Sequence, residues 1–177
     1  MITNTNELAN ELGISSVATT RKFCDYLREP YLFFYLPRFD NKLKLMKKAA
    51  QKVYVVDNGF VQSSAFNLSE NSGRLLENLM FVELIRRGYD AGKTLFYYRS
   101  RNNKETDFVT RKGYEVEQLI QVCYDLSSPK TQKREIDSLI ECGKELKCEN
   151  MVIVTYNDDR IIEEHGLKIQ VIPFYKF

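Results

Sequence analysis

The chain has 177 residues, room for one large domain or two small ones at about 100–150 residues each. It is 44% hydrophobic, 28% charged and 12% aromatic, which excludes an intrinsically disordered chain, and a net charge of +2 selects no class of partner. No run approaches ~18 consecutive apolar residues, and Met1-Ile2-Thr3-Asn4 has neither the basic start nor the apolar core of a signal peptide. The expectation is a cytoplasmic protein with no membrane partner.

Several chemistries are argued against by what the chain lacks. His165, in Glu163-Glu164-His165-Gly166, is the single histidine, so a Ser-His or Cys-His engine would rest on one turn-like residue. Cys24, Cys123, Cys142 and Cys148 form no CxxC pair and have no histidine cluster to join, which argues against structural zinc and for a reducing compartment. No GxxxxGK[ST] occurs, so the chain carries no phosphate-cradling loop for ATP.

Residues 4–29 read as two helices with a break at Gly13. Thr5 or Asn6 can cap the first, with Leu8, Ala9 and Leu12 at helical spacing. Ser15 or Ser16 caps the second, whose apolar positions are Val17, Ala18, Phe23, Cys24 and Leu27. This is the pattern of a helix-turn-helix, in which the second helix enters a major groove. Residues 31–39 and 53–56 are strand-like, with a basic loop from Arg38 to Lys48 between them, so residues 1–60 are expected to form a winged helix. Arg21, Lys22, Lys42, Lys44, Lys47 and Lys48 are its candidate nucleic-acid contacts. Nine Lys/Arg against six Asp/Glu over residues 1–60 leave only +3, modest for a DNA-binding domain, and a solvated lysine-rich face explains the pattern equally well.

Residues 58–72 are polar and turn-rich, and 61–72 are expected to be a linker to a second domain, 73–177. Residues 74–89 form a strong helix ended by Gly88. At ~100° per residue, Glu77 lies amid Met80, Phe81, Leu84 and Ile85, while Asn78 and Arg86 point elsewhere. A carboxylate on an apolar face costs several kcal/mol unless a cation pairs with it, either an arginine or a metal. Three strands follow, 94–100, 105–110 and 114–124, through Asn102-Asn103 and Lys112-Gly113 turns. Alternation puts Glu105, Asp107 and Val109 on one face, and Glu117, Leu119, Gln121 and Cys123 on one face of the third strand. A helix over 130–146, buried through Ile136, Leu139, Ile140 and Leu146, then strands over 150–156 and 167–174 complete the chain.

Helix, three meandering strands, helix, strand, with acids on the first helix and second strand, resembles the restriction-endonuclease-like, or PD-(D/E)XK, fold. The fold class expected is therefore α+β, an N-terminal winged helix-turn-helix followed by a PD-(D/E)XK-like α/β domain. The resemblance implies that Glu77 and Asp107 are the metal-holding acids, with Mg²⁺ as the cofactor they would take. The last motif, normally an acid, an apolar residue and a lysine, reads Gln121-Val122-Cys123. An amide lacks the charge that makes a carboxylate a good Mg²⁺ ligand, and a thiol cannot replace an ammonium. Lys133 or Arg134 could supply a migrated cation, and Glu117 or Asp125 a recruited acid.

Lys52-Val53-Tyr54-Val55-Val56-Asp57-Asn58-Gly59, Gly73-Arg74-Leu75-Leu76-Glu77-Asn78, Glu105-Thr106-Asp107-Phe108-Val109, Gln121-Val122-Cys123-Tyr124-Asp125-Leu126 and Lys133-Arg134-Glu135-Ile136 carry a closer likeness. Together they resemble the C-terminal half of a prokaryotic family of AAA-type ATPases. In that family an ATPase core precedes a winged helix and an uncharacterised nuclease-like domain. ATP would enter only with an N-terminal ATPase domain, so ATP hydrolysis does not carry over to this chain. The expectation is a non-catalytic, DNA-associated or partner-binding module. Its degenerate site would be a polar network of Glu77, Asp107, Gln121 and Arg134, and an ATPase domain or DNA its partner. The alternatives are an active metal-dependent nuclease and a winged-helix DNA-binding regulator.

Overall fold

Gly13, at φ +66°, turns the chain between α1 (Thr5–Glu11) and α2 (Val17–Arg28), a conformation that costs glycine little. Ser16 caps α2, its Oγ accepting the Thr19 N–H at 3.3 Å. The structure is a computed structural model describing residues 2–3, 5–64 and 72–177, with side chains except those of residues 2, 3, 47, 48, 63 and 64. Among the described residues no helix is long and apolar enough to cross a membrane.

β1 (Ile2–Thr3), β2 (Phe33–Leu36) and β3 (Gln51–Val55) form an antiparallel sheet in the order β1-β3-β2. The basic segment expected as a loop instead carries a short helix, α3 (Leu43–Lys48). The Asp40 carboxylate accepts the Lys42 N–H at 2.8 Å and starts the turn, and Leu-Lys-Leu-Met-Lys-Lys consists of good helix formers. The expected linker region likewise begins with a helix, α4 (Asn58–Ser64), in which Asp57 caps Gly59 N–H and the Asn58 side chain donates to the Leu75 carbonyl at 3.0 Å. The rest of that linker, 65–71, lies outside the described residues.

α5 (Ser72–Arg86) leads into β4 (Leu95–Arg99), β5 (Glu105–Lys112) and β6 (Glu115–Val122). Then come α6 (Pro129–Leu146), β7 (Met151–Thr155), β8 (Arg160–Glu164) and β9 (Leu167–Pro173), with a closing 3₁₀ turn at Phe174–Lys176. The six strands run in the order β4-β5-β6-β7-β9-β8, parallel at β6-β7 and β7-β9 and antiparallel elsewhere. The chain is thus mixed α+β, with six α-helices and two sheets among the described residues. β8 has no counterpart in the sequence pattern, because it is a largely exposed edge strand and buries no alternating face.

Two cores line the six-stranded sheet. Val109, Leu119, Met151, Ile153, Ile169 and Val171 pack with Ile136, Leu139 and Ile140 of α6. Phe108, Ile120, Val152 and Val154 pack with Met80, Phe81 and Leu84 of α5, and this second core takes in Leu36 and Tyr54 from the three-stranded sheet. The Tyr54 ring stacks on Phe81 with centroids 4.3 Å apart. Beyond β2 the backbone continues alongside β4, the Phe39 N–H donating to the Tyr97 carbonyl at 2.7 Å and the Tyr97 N–H to the Pro37 carbonyl at 3.2 Å. The two sheets therefore share buried apolar surface, which brings a residue of β3 to the acids of the second unit.

Two side-chain expectations fail here. Asn78, assigned away from the buried face of α5, is buried on a second face. β1 pairs only with Gln51 and Lys52, so further along β3 the Asn78 amide takes its place. It accepts the Val55 N–H at 2.8 Å and donates to the Val55 carbonyl at 3.0 Å and to Asn58 Oδ1 at 2.9 Å. In α2, Phe23 and Leu27 are exposed, beside exposed Leu12 and Tyr26.

Candidate functional site

Three acids and one lysine converge where the two sheets meet. Alternation along β3 turns Lys52 and Tyr54 inward while their neighbours are half-buried. α5 supplies Glu77, and β5 supplies Glu105 and Asp107. The pairing of β4 with β5 slips by one residue, Phe96 opposing Val109 but Tyr98 opposing Thr106. Such a bulge re-aims side chains and breaks strict alternation. Val109 packs in the α6-side core, whereas the Asp107 carboxylate meets the lysine that also holds Glu77. The expectation that Asp107 and Val109 share an environment is corrected on this point.

The ammonium of Lys52 is the centre of the cluster. Its Nζ donates to Asp107 Oδ1 at 2.7 Å and to Glu77 Oε1 at 2.9 Å, and forms an ion pair with Glu105 Oε1 at 3.0 Å. The Lys52 side chain is 4% exposed, against 11% for Asp107, 21% for Glu77 and 25% for Glu105. Every acid has a further donor. The Val122 N–H donates to Asp107 Oδ2 at 2.9 Å, the Tyr54 hydroxyl to Glu77 Oε1 at 2.7 Å, and Arg99 Nη2 to Glu105 Oε2 at 2.7 Å. The ring of Tyr97 lies 5.7 Å from the ammonium.

Three carboxylates face the two cations Lys52 and Arg99, surroundings that oppose full ionisation of the buried Asp107. Burial pushes the Asp107 carboxyl up to about 7, with Glu77 adding to the shift and Lys52 opposing it. Glu77 is also desolvated, but Lys52 and the Tyr54 hydroxyl hold its carboxyl below the ordinary value. Burial alone would lower Lys52, yet the three carboxylates hold it well above the usual lysine range. Tyr54 is raised, by burial first and then by Glu77.

The other two expected members of the network lie in an adjacent group. Gln121 Nε2 donates to Glu135 Oε2 at 2.7 Å, and Arg134 Nε donates to Glu135 Oε1 at 3.0 Å. Both side chains are therefore engaged on α6, not on Glu77. The buried Gln121 Oε1 has no hydrogen-bond partner among the described residues. Cys123, at the position of the missing lysine, donates to the Asp125 carbonyl at 3.2 Å, and burial pushes its thiol up to about 11. Neither residue supplies charge to the acids.

This donor set does not fit Mg²⁺ as it stands. Among the described residues no group of three or more His, Cys, Asp or Glu is disposed to hold a metal ion. The oxygens that a divalent ion would need face the Lys52 ammonium, and two cations cannot share that centre. Of the candidate nucleic-acid contacts, Arg21 and Lys22 are exposed on α2, and Lys42 and Lys44 at and just inside the start of α3. The side chains of Lys47 and Lys48 lie outside the described residues.

Sequence reasoning gave Lys52 no role at the site, naming it only among the basic residues of the first sixty and at the head of one of the family-like phrases. A lysine alternating with an aromatic inside Lys52-Val53-Tyr54-Val55-Val56 was the available signal, since a charge on the inward face of a strand requires buried acids opposite.

The profile described as "Domain of unknown function (DUF4143)" matches residues 72–177, and that described as "Domain of unknown function (DUF8612)" matches residues 1–72. An uncharacterised protein of Methanocaldococcus jannaschii is 35% identical over 97% of the chain, and one of Haemophilus influenzae is 32% identical over 76%. The matched parts are 42% and 32% of those two proteins, so the chain spans less than half the length of either relative. A solved assembly of Thermococcus gammatolerans McrB AAA+ hexamers with bound McrC matches 58% of the chain and 28% of its own, at 17% identity and a TM-score of 0.37.

Proposed function

The chain belongs to the DUF4143 domain family, and on that premise we propose that it is a non-catalytic module of a longer AAA-type ATPase. It binds a partner through its first unit, and its nuclease-like centre serves as a buried polar core. The two units are a winged helix over 1–60 and a PD-(D/E)XK-like domain over 73–177, joined through 61–72. The motif likeness of both halves to the C-terminal part of such ATPases supports the association.

One observation carries the non-catalytic reading: Lys52, its side chain 4% exposed, sets its ammonium against the acids that a nuclease would reserve for a metal. Titration calorimetry of the whole chain with Mn²⁺ tests it. No heat of binding is expected, and Asp107→Ala lowers stability without changing any turnover. Micromolar Mn²⁺ binding by the unaltered chain, with DNA cleavage lost in Asp107→Ala, would establish the active nuclease instead.

The exposed apolar side chains Phe23, Tyr26 and Leu27 stand at i, i+3 and i+4 of α2 and so share one helix face, which favours a protein partner. DNA association is an auxiliary property, through Arg21, Lys22, Lys42, Lys44, Lys47 and Lys48. A net +3 over residues 1–60 makes it weak and steeply salt-dependent. Fluorescence anisotropy at low and moderate salt checks this, and absence of binding at low salt rejects it.

A further inference from the structure

We propose that two copies of the chain form a symmetric dimer through the free edge of the six-stranded sheet, β8 pairing antiparallel with β8 of the second copy and Ile162 lying on the two-fold axis. The proposal concerns the second unit alone and is independent of the non-catalytic reading.

The two edges of the sheet are not alike. β4 is lined by the stretch that follows β2, where the Phe39 N–H donates to the Tyr97 carbonyl and the Tyr97 N–H to the Pro37 carbonyl. β8 has β9 on one side and, among the described residues, no strand on the other. The hairpin between them turns through His165 and Gly166, at φ +51° and +77°, a two-residue turn that makes Glu164 and Leu167 a hydrogen-bonded pair. Alternation from that pair directs the backbone groups of Arg160, Ile162 and Glu164 toward β9, and those of Ile161 and Glu163 outward. Ile161 is also 66% exposed. An edge that presents free donors and acceptors is a template for another strand.

Charge selects the occupant and the register. Outward groups on Ile161 and Glu163 allow two-fold antiparallel pairing centred on residue 161, 162 or 163. Centred on Ile161, Glu163 faces Asp159 of the second copy; centred on Glu163, it faces the same residue of the second copy. Like charges directly opposite are destabilising. Centred on Ile162, Arg160 faces Glu164 of the second copy at each end of the pairing. Both side chains lack such a partner within one copy. Arg160 donates to the Gln132 amide oxygen at 3.1 Å and forms no ion pair among the described residues. Glu164 lies 3.7 Å from His165, which is charged only when protonated.

The remaining side chains agree with that register. Ile162 packs toward the α6-side core, so Arg160, Ile162 and Glu164 form one row that meets the same row reversed. On the other face Glu163 has Lys168 at 3.6 Å, so its carboxylate is compensated where it lies beside Ile161 of the second copy. The pairing adds about four backbone hydrogen bonds to the two ion pairs and the central Ile162 contact. An interface of one short strand is smaller than that of permanent dimers, so the association depends on protein concentration.

Sedimentation velocity of the whole chain across a range of concentrations tests this, with far-ultraviolet circular dichroism to verify folding. The unaltered chain is expected to dimerise as concentration rises. Arg160→Glu and Glu164→Arg each set like charges opposite one another at both ends, and each should dimerise at least about tenfold more weakly. The double variant Arg160→Glu/Glu164→Arg, and an equimolar mixture of the two single variants, restore opposite charges and should return to within about threefold of the unaltered chain. Glu163→Pro removes an outward N–H while leaving the β8–β9 bonds in place, and should abolish the dimer. A chain that is monomeric at every concentration overturns the proposal. So does a dimer that neither single variant weakens, a loss that the mixture does not reverse, or a folded Glu163→Pro that still dimerises. Each of these results leaves the non-catalytic reading intact, because none involves metal or DNA.

Discussion

Lys52 and Asp107, 55 residues apart in sequence, meet at 2.7 Å in a buried pair that joins the three-stranded sheet to the six-stranded one. Because Lys52 is almost wholly buried, removing its charge strands the acids around it. Lys52→Met is expected to cost about 3–5 kcal/mol, the range for breaking a buried ion pair from one side. Neutralising the acids as well, in Lys52→Met/Glu77→Gln/Asp107→Asn, should recover most of that loss. Urea unfolding of the two variants and the unaltered chain provides the comparison. A mild Lys52→Met would mean that the lysine does not pin the acids.

The raised Asp107 carboxyl gives stability a distinctive pH dependence. Burial raises the Asp107 carboxyl to about 7 in the folded chain, whereas the unfolded chain releases the same proton near the ordinary aspartate value of about 3.9. Between about pH 4 and 7 the folded state therefore holds more protons, so this group's contribution to stability is full below that window and declines as pH rises through it. Glu77, held low, contributes in the opposite sense, and its share is lost as pH falls through its folded value. Urea midpoints measured from pH 5 to 8 should decline more steeply in the unaltered chain than in Asp107→Asn. Parallel profiles would show that Asp107 takes up no proton on folding.

Asn78 offers a local test of how α5 closes β3. Its amide supplies both the acceptor and the donor that a neighbouring strand would give Val55. Asn78→Leu keeps the size but leaves the Val55 N–H and carbonyl without these bonds, at about 1–3 kcal/mol. Hydrogen exchange at the Val55 amide should accelerate well beyond the global change in stability. Unchanged protection there would show that another group satisfies β3.

What the residues disclosed depended on whether burial was patterned. α5, α6 and the inner strands of the large sheet were legible because their apolar residues recur at helical or alternating spacing. α3, α4 and β8 carry mostly polar or exposed residues and leave no such trace. At the site, Glu77 announced itself as a charge on an apolar face, and Asp107 was found beside it. The bulge that re-aims Asp107 has no sequence signal, since it arises from pairing with β4. Lys52 was hidden for a related reason: a lysine followed by Val53 and Tyr54 reads as surface charge until the acids that oppose it from α5 and β5 are seen. The placement of Gln121 and Arg134 against Glu135 depended on which face of α6 meets β6, which the strand pattern leaves open.

Gly143 of α6 leaves no room for a side chain and allows two opposing effects to be weighed. Alanine is favoured over glycine inside a helix by about 1 kcal/mol, so propensity alone predicts that Gly143→Ala stabilises. A Cβ built there would lie 2.7 Å from the Cys148 carbonyl oxygen, would collide with the methyl end of Met151, and would touch Leu119 at 3.5 Å. The Met151 methyl can swing aside, but the carbonyl belongs to the helix C-terminus, where Lys147 sits at φ +56° and the Cys148 N–H returns to the Gly143 carbonyl at 3.0 Å. Backbone held on both sides cannot yield cheaply, and overpacking typically costs about 1–3 kcal/mol, so the net effect should be destabilising. Gly73→Ala, near the start of α5, meets nothing within 4 Å and should leave stability unchanged or raise it by up to about 1 kcal/mol. Thermal unfolding of the pair separates propensity from packing, and a Gly143→Ala at least as stable as the unaltered chain would show that α6 can move away from the sheet.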